Sequence, residues 1–145
     1  MKTDDQIEDS LYEIRKELIA TLDDFKSVND DYGHAAGDRV LCSLANVLKK
    51  RLRRTDMIAR YGGDEFVIVL PNTRTEDAQR ILEELADTFT GLVHTADSRR
   101  FSATLSCGIA GFPHWPDVLQ LTSAADRALY EAKRQGRNRV VVSGR

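Results

Sequence analysis

The first sustained apolar run in the chain is LIATL, Leu18 to Leu22, and its composition predicts a short strand. A charged, weakly helical stretch over roughly residues 6 to 17 precedes it, and the acid-rich DDFKSVNDDYGHAAGD follows. From Asp38 to Arg53 the apolar positions Val40, Leu41, Leu44, Ala45, Leu48 and Leu52 recur on one side of an amphipathic helix. Its outer face carries Lys49, Lys50, Arg51, Arg53 and Arg54, which suit the negative end of the helix dipole. IARY and FVIVL then read as two strands, and Gly62-Gly63 between them as a two-residue hairpin turn with positive φ.

Beyond Pro71-Asn72, Thr73 and Glu76 predict a capping box for a helix bearing Ala78, Ile81, Leu82, Leu85 and Ala86. FSATLSCGIAGF alternates Phe101, Ala103, Leu105, Cys107 and Ile109 against Ser102, Thr104, Ser106 and Gly108, which predicts one strand with a core face and a small, polar face. A last helix from about Asp117 to Gln135 stops at Gly136 and hands over to the strand RVVV. The order is strand, helix, strand pair, helix, strand, helix, strand. Hairpin-linked strands argue against a doubly wound parallel sheet and for an α+β fold, a single mostly antiparallel sheet covered by helices.

Composition narrows the classes of function. The 145 residues suffice for one core, and 41% hydrophobic with 30% charged residues is ordinary globular usage. A net charge of −2 gives no general attraction to nucleic acid or to anionic lipid, so neither a nucleic-acid polymer nor a membrane is expected as a partner. Cys42 and Cys107 lie in apolar periodic runs and read as buried free thiols. No stretch has the form of a signal peptide or a membrane span, and a cytoplasmic location is expected.

Acids gather in two places: Asp23, Asp24, Asp30, Asp31 and Asp38 after the first strand, and Asp64 with Glu65 at the hairpin. They either face solvent or hold a cation. Hard oxygen ligands without a His/Cys set point to Mg²⁺ or Mn²⁺, shared with substrate phosphates. Lys26, Lys133 and Arg137 are candidates for the balancing charge.

DDFKSVNDDYGHAAGD, RYGGDEF, TLSCGIA, ADRALYEAK and GRNRVV, in this order and spacing, resemble the GGDEF domains of the diguanylate cyclase family. The resemblance divides the chain into a polar segment, 1–17, that could end a connector helix, and a GGDEF domain, 18–145. It implies a ferredoxin-like βαββαβ core of the palm type shared by nucleotidyl cyclases and some polymerases. It also implies that each protomer of a homodimer binds one GTP, the pair yielding cyclic di-GMP and two pyrophosphates.

Carried over by position, Asn29 and Asp38 would bind the guanine, and Gly62 and Gly63 would make room for the nucleotide. Asp64 would hold the metal and Glu65 would stand beside it at the catalytic centre. Lys26, with the backbone at Phe25, would lie near the phosphates, and Lys133 and Arg137 would contact the terminal ones. Arg53 and Asp56, an R-x-x-D, match the family's inhibitory product site.

Two departures qualify this. Aligning Phe25-Lys26 puts Thr21 where the family has its first metal-binding Asp, leaving the Leu22 backbone and Asp23 as the remaining donors there. Threonine supplies no charge. Upstream, DDQIEDSLYEIRKEL replaces an LTGLxNRR-like helix, so the chain is either shortened or degenerate there. The rivals to a cyclase are therefore a silent GGDEF domain that senses cyclic di-GMP or GTP, and a purely dimerising domain.

Overall fold

The structure is a computed structural model, and it describes residues 15–112 and 114–144. The expected upstream helix falls largely outside these residues, but residues 15–17 are strand rather than helix. Strand β1 runs Arg15–Leu22, three residues longer than the apolar run suggested. The acid-rich segment forms helix α1 (Phe25–Tyr32), and after Gly33, at φ 91°, the long helix α2 (His34–Arg51) begins. Strands β2 (Met57–Gly62) and β3 (Glu65–Pro71) form the hairpin, and helix α3 (Thr75–Thr90) follows. A small hairpin, β4 (His94–Ala96) with β5 (Arg99–Phe101), precedes β6 (Leu105–Phe112), helix α4 (Val118–Arg134) and β7 (Arg139–Val142).

The main sheet has the order β2-β3-β1-β6-β7, with every neighbouring pair antiparallel except β6-β7. The α+β expectation holds. One face carries the larger core, in which Leu44, Leu48, Leu82, Leu85 and Phe89 from α2 and α3 meet Phe66, Ile68, Leu105, Cys107 and Ile109 from the sheet. Helix α4 covers the other face through Leu121, Ala124, Ala125 and Leu129. Among the described residues no helix is long and apolar enough to cross a membrane.

Several local expectations are corrected. FSATLSCGIAGF is not one strand, because Ser102–Thr104 interrupt it and Phe101 pairs with His94. Its small face is not polar surface. A Cβ on Gly108 would overlap the Ala125 carbonyl and the Leu129 amide, so small residues there let α4 lie directly on β6. Thr73 caps nothing: Arg74 is the N-cap of α3, and Thr73 is buried with its hydroxyl donating to the Pro71 carbonyl at 2.9 Å. Cys107 is buried as expected, and burial pushes its thiol up to about 12, whereas Cys42 is exposed on α2.

Gly136 behaves as the sequence suggested. At φ 121° it closes α4, the Gly136 amide donating to the Lys133 carbonyl at 3.3 Å and the Arg137 amide to the Ala132 carbonyl at 2.9 Å. This is the Schellman bonding pattern.

Candidate active site

The carboxylates of the hairpin are placed by its turn. Gly62 pairs with Glu65, so the turn residues are Gly63-Asp64 rather than Gly62-Gly63, and neither glycine has the positive φ expected of it. A register shift between Arg60 and Gly62 displaces the turn by one residue. Arg60 fixes it, Nε and Nη2 donating to the Gly63 carbonyl at 3.1 and 2.7 Å. The Leu22 amide donates to the Asp64 carbonyl at 3.1 Å, so the turn is docked on the end of β1. No atom lies within 4 Å of where a Cβ on Gly62 or Gly63 would stand.

Glu65 opens β3 directly opposite Thr21, which is 3% exposed and is paired on its other side with Ser106. Burial raises the Glu65 carboxyl above its usual range, Asp126 and Asp64 add to the shift, and Lys133 opposes it. Asp126 was not anticipated. Its signal in the sequence is its place two helical turns before Lys133 on α4.

Among the described residues no three His, Cys, Asp or Glu side chains form a ready metal cluster. A half-buried carboxylate that feels the negative charge of two others, with Lys133 opposing, nonetheless carries an excess of negative charge that a divalent cation would relieve. Asp64 and Glu65 thus fit a Mg²⁺ or Mn²⁺ that takes its other ligands from water and phosphate.

Asp23 directly follows the end of β1 and is 5% exposed. Its two oxygens accept hydrogen bonds from Thr104 Oγ1 and Ser106 Oγ, each at 2.7 Å, and from the Asn138 amide at 3.0 Å. The sequence had shown Thr104 and Ser106 as a polar face, without their partner.

On the other side of the turn, Asp38, Leu41, Cys42, Ala45, Ile58 and Phe66 line an open cleft of about 560 Å³, and Arg60 reaches from this cleft to the turn. Asp38 is exposed at its rim. Asn29 on α1 packs against Gly37, whose missing side chain leaves room for it, and the Asn29 Oδ1 is buried without a partner. Phe25 is half-buried and Lys26 exposed in the first turn of α1. Lys133 lies in the last turn of α4, and Arg137 follows the helix with its Nε 3.8 Å from Asp24 Oδ1.

Arg53 and Asp56 lie elsewhere. Arg53 Nη2 donates to Asp56 Oδ1 at 2.9 Å, and to the Pro71 carbonyl and Thr73 Oγ1 at 2.8 Å. That is the far end of β3 from Glu65, about 20 Å away along a seven-residue strand. The Arg53 side chain is half exposed, and Asp56 is covered.

The family model described as "Diguanylate cyclase, GGDEF domain" matches residues 5–139. Diguanylate cyclase DgcP of Pseudomonas aeruginosa is 42% identical over 86% of this chain, and Diguanylate cyclase A of Treponema denticola 38% identical over 87%. The chain spans 19% and 34% of the lengths of these two relatives. In structure it is similar to the active GGEEF domain of a diguanylate cyclase from Vibrio cholerae, with a TM-score of 0.87 and 32% identity, over 94% of this chain and 87% of that one. It is also similar to the GGDEF domain of DgcB from Caulobacter crescentus, solved with c-di-GMP, with a TM-score of 0.86 and 28% identity, over 96% of this chain and 89% of that one. With a fold, a hairpin and a family match that agree along nearly its whole length, the chain belongs to the GGDEF-domain family of diguanylate cyclases.

Proposed function

We propose that this domain condenses two GTP molecules into cyclic di-GMP, releasing two pyrophosphates. One observation carries the reading: a continuous run of recognition and charged groups along one end of the sheet. The cleft at Asp38 leads through Arg60 to the Gly63-Asp64 turn, and next to the turn stands Glu65, whose carboxyl feels the positive charge of Lys133. A nucleotide laid along it would have its base at Asp38 and its phosphates between the carboxylates and the cations of α4.

The Asp38 carboxylate accepts from the two donors on the guanine edge, and the unpaired Asn29 Oδ1 takes a third hydrogen bond. The bare Gly62-Gly63 surface lets the ribose and phosphates approach the backbone. Lys133, Arg137 and Lys26 neutralise phosphate charge. Asp64 and Glu65 would hold a Mg²⁺ or Mn²⁺, which when bound lowers the cost of the 3′-oxyanion and of charge on the phosphoryl oxygens.

In each step the 3′-oxygen of one GTP bonds to the α-phosphorus of the other, and the bond from that phosphorus to pyrophosphate breaks. Since one site holds one GTP, two copies of the domain must face each other across a two-fold axis. Incubating the concentrated protein with GTP and Mg²⁺ or Mn²⁺ should yield cyclic di-GMP by chromatography, with an Asp64→Asn variant silent. GTP left intact in both metals refutes the reading.

A second reading, a module that binds GTP or cyclic di-GMP without turnover, is favoured by Thr21, a neutral group opposite Glu65 where the family has an acid. Cyclic di-GMP binding by the Asp64→Asn protein, with no turnover in the parent, would select it.

A further inference from the structure

Three left-handed residues meet beside one carboxylate. Asp24, Arg137 and Asn138 have φ of 55°, 64° and 49°, a region that Asp and Asn tolerate but that is uncommon and strained for a long side chain such as Arg137. Arg137 and Asn138 are consecutive. Such a pair persists only where the surroundings over-determine it: the Arg137 amide is held by the Ala132 carbonyl, the Arg137 carbonyl by Arg139 Nε, and the Asn138 amide by Asp23. One of its oxygens accepts both the Asn138 amide and Thr104 Oγ1, and the other accepts Ser106 Oγ. The Asp23 amide in turn donates to the Thr104 carbonyl at 2.9 Å. A carboxylate has about four lone-pair sites, and three of these are already used.

Ser106 belongs to β6, the strand between β1 and β7, so the carboxylate ties the α4–β7 turn to the interior of the sheet. Arg137 leaves that turn beside Asp24, the residue next to the anchor. We propose that Asp23 is a positioning residue, which holds the Arg137-Asn138 turn in its left-handed form so that Arg137 is presented to the phosphates of a bound nucleotide. This rests on the reading that Lys133 and Arg137 take the terminal phosphates. It gives Asp23 a role other than metal ligation, through residues 81, 83 and 115 positions away in the chain.

The test compares binding of GTP and of guanosine by calorimetry, in EDTA so that the protein's own cations supply the phosphate affinity. The parent should bind GTP more tightly than guanosine. Asp23→Asn keeps the shape of the side chain but loses its charge and one acceptor. It should weaken GTP about ten-fold or more, as for loss of a charge-assisted hydrogen bond, with guanosine unchanged. Ser106→Ala leaves the Asn138 bond in place, and should lower the melting temperature without altering the ratio of the two affinities.

Asp23→Glu, which keeps the charge but moves it by one methylene, serves if the Asn variant does not fold, and must lose the triphosphate advantage too. A folded variant of either kind that retains the parent's ratio overturns the proposal. A parent that binds GTP no better than guanosine overturns instead the phosphate role of Lys133 and Arg137, and the proposal with it.

Discussion

Replacing Thr21 with Asp should make the stability of this domain depend on a divalent metal. Thr21 is buried and stands opposite Glu65, itself already raised by burial and by Asp126 and Asp64. Facing side chains on adjacent antiparallel strands lie about 5 Å apart. Two carboxylates at that distance, in an effective dielectric of about 20, repel by about 3 kcal/mol.

Escape by protonation at pH 7 would cost about 4 kcal/mol for an Asp carboxyl of ordinary pKa near 3.9 and less for Glu65, whose carboxyl is already raised, so the repulsion of about 3 kcal/mol is an upper bound. For a chain of this length that is a melting temperature lower by at most about 6–12 °C in EDTA. At pH 5 protonation costs about 1.5 kcal/mol, and because the folded state then binds the extra proton, the deficit should shrink as the pH falls. A metal at one hundred times its dissociation constant returns about 2.7 kcal/mol. Mg²⁺ or Mn²⁺ should therefore restore most of the loss, and should stabilise the variant far more than the parent. Thermal unfolding with and without metal, beside a turnover assay in which T21D exceeds the parent, checks both halves. Equal melting in EDTA, or equal metal response in the two proteins, refutes the argument that Thr21 leaves a gap in a cation site.

Four further outcomes are expected. Asp38→Ala removes an acceptor for two guanine donors and should weaken GTP by about 1.5–3 kcal/mol while leaving ATP nearly unchanged in calorimetric titration; equal weakening would mean Asp38 does not read the base. Arg53→Ala strips the covered Asp56 of its guanidinium partner, and should cost about 1.5–3 kcal/mol in urea unfolding and abolish cyclic di-GMP binding if the R-x-x-D is a product site; unchanged stability would contradict the anchoring geometry. Gly108→Ala drives a methyl into the backbone of α4 and should destabilise by about 1–3 kcal/mol, with a midpoint equal to the parent's arguing against the close approach. Burial holds the His94 imidazole below its usual range, with Nε2 unpaired among Phe89 and Phe101. The unfolded state therefore protonates first, stability should fall as pH drops through about 6.5, and His94→Phe should flatten that slope between pH 7 and 5.

The sequence by itself determined the family, the order of the main elements and the amphipathic faces of α2, α3 and α4. Each depends on local periodicity or on a short block of residues, which the linear chain records directly. Tertiary structure decided what the small and polar positions do. Ser106 and Gly108 alternate with core residues whether the facing layer is water or a helix, and only the packing of α4 shows that it is a helix. Thr73 precedes a helix in either case, yet its hydroxyl serves the loop that Arg53 anchors. The Gly-Gly pair announced a turn, but the register shift after Arg60 set which residues occupy it. The bonds of Asp23 span 81, 83 and 115 positions, and the charge of Asp126 on α4 acts on Glu65 on β3, 61 positions away in the chain. Polar interactions of this kind depend on distance in space, which sheet order fixes and sequence spacing does not.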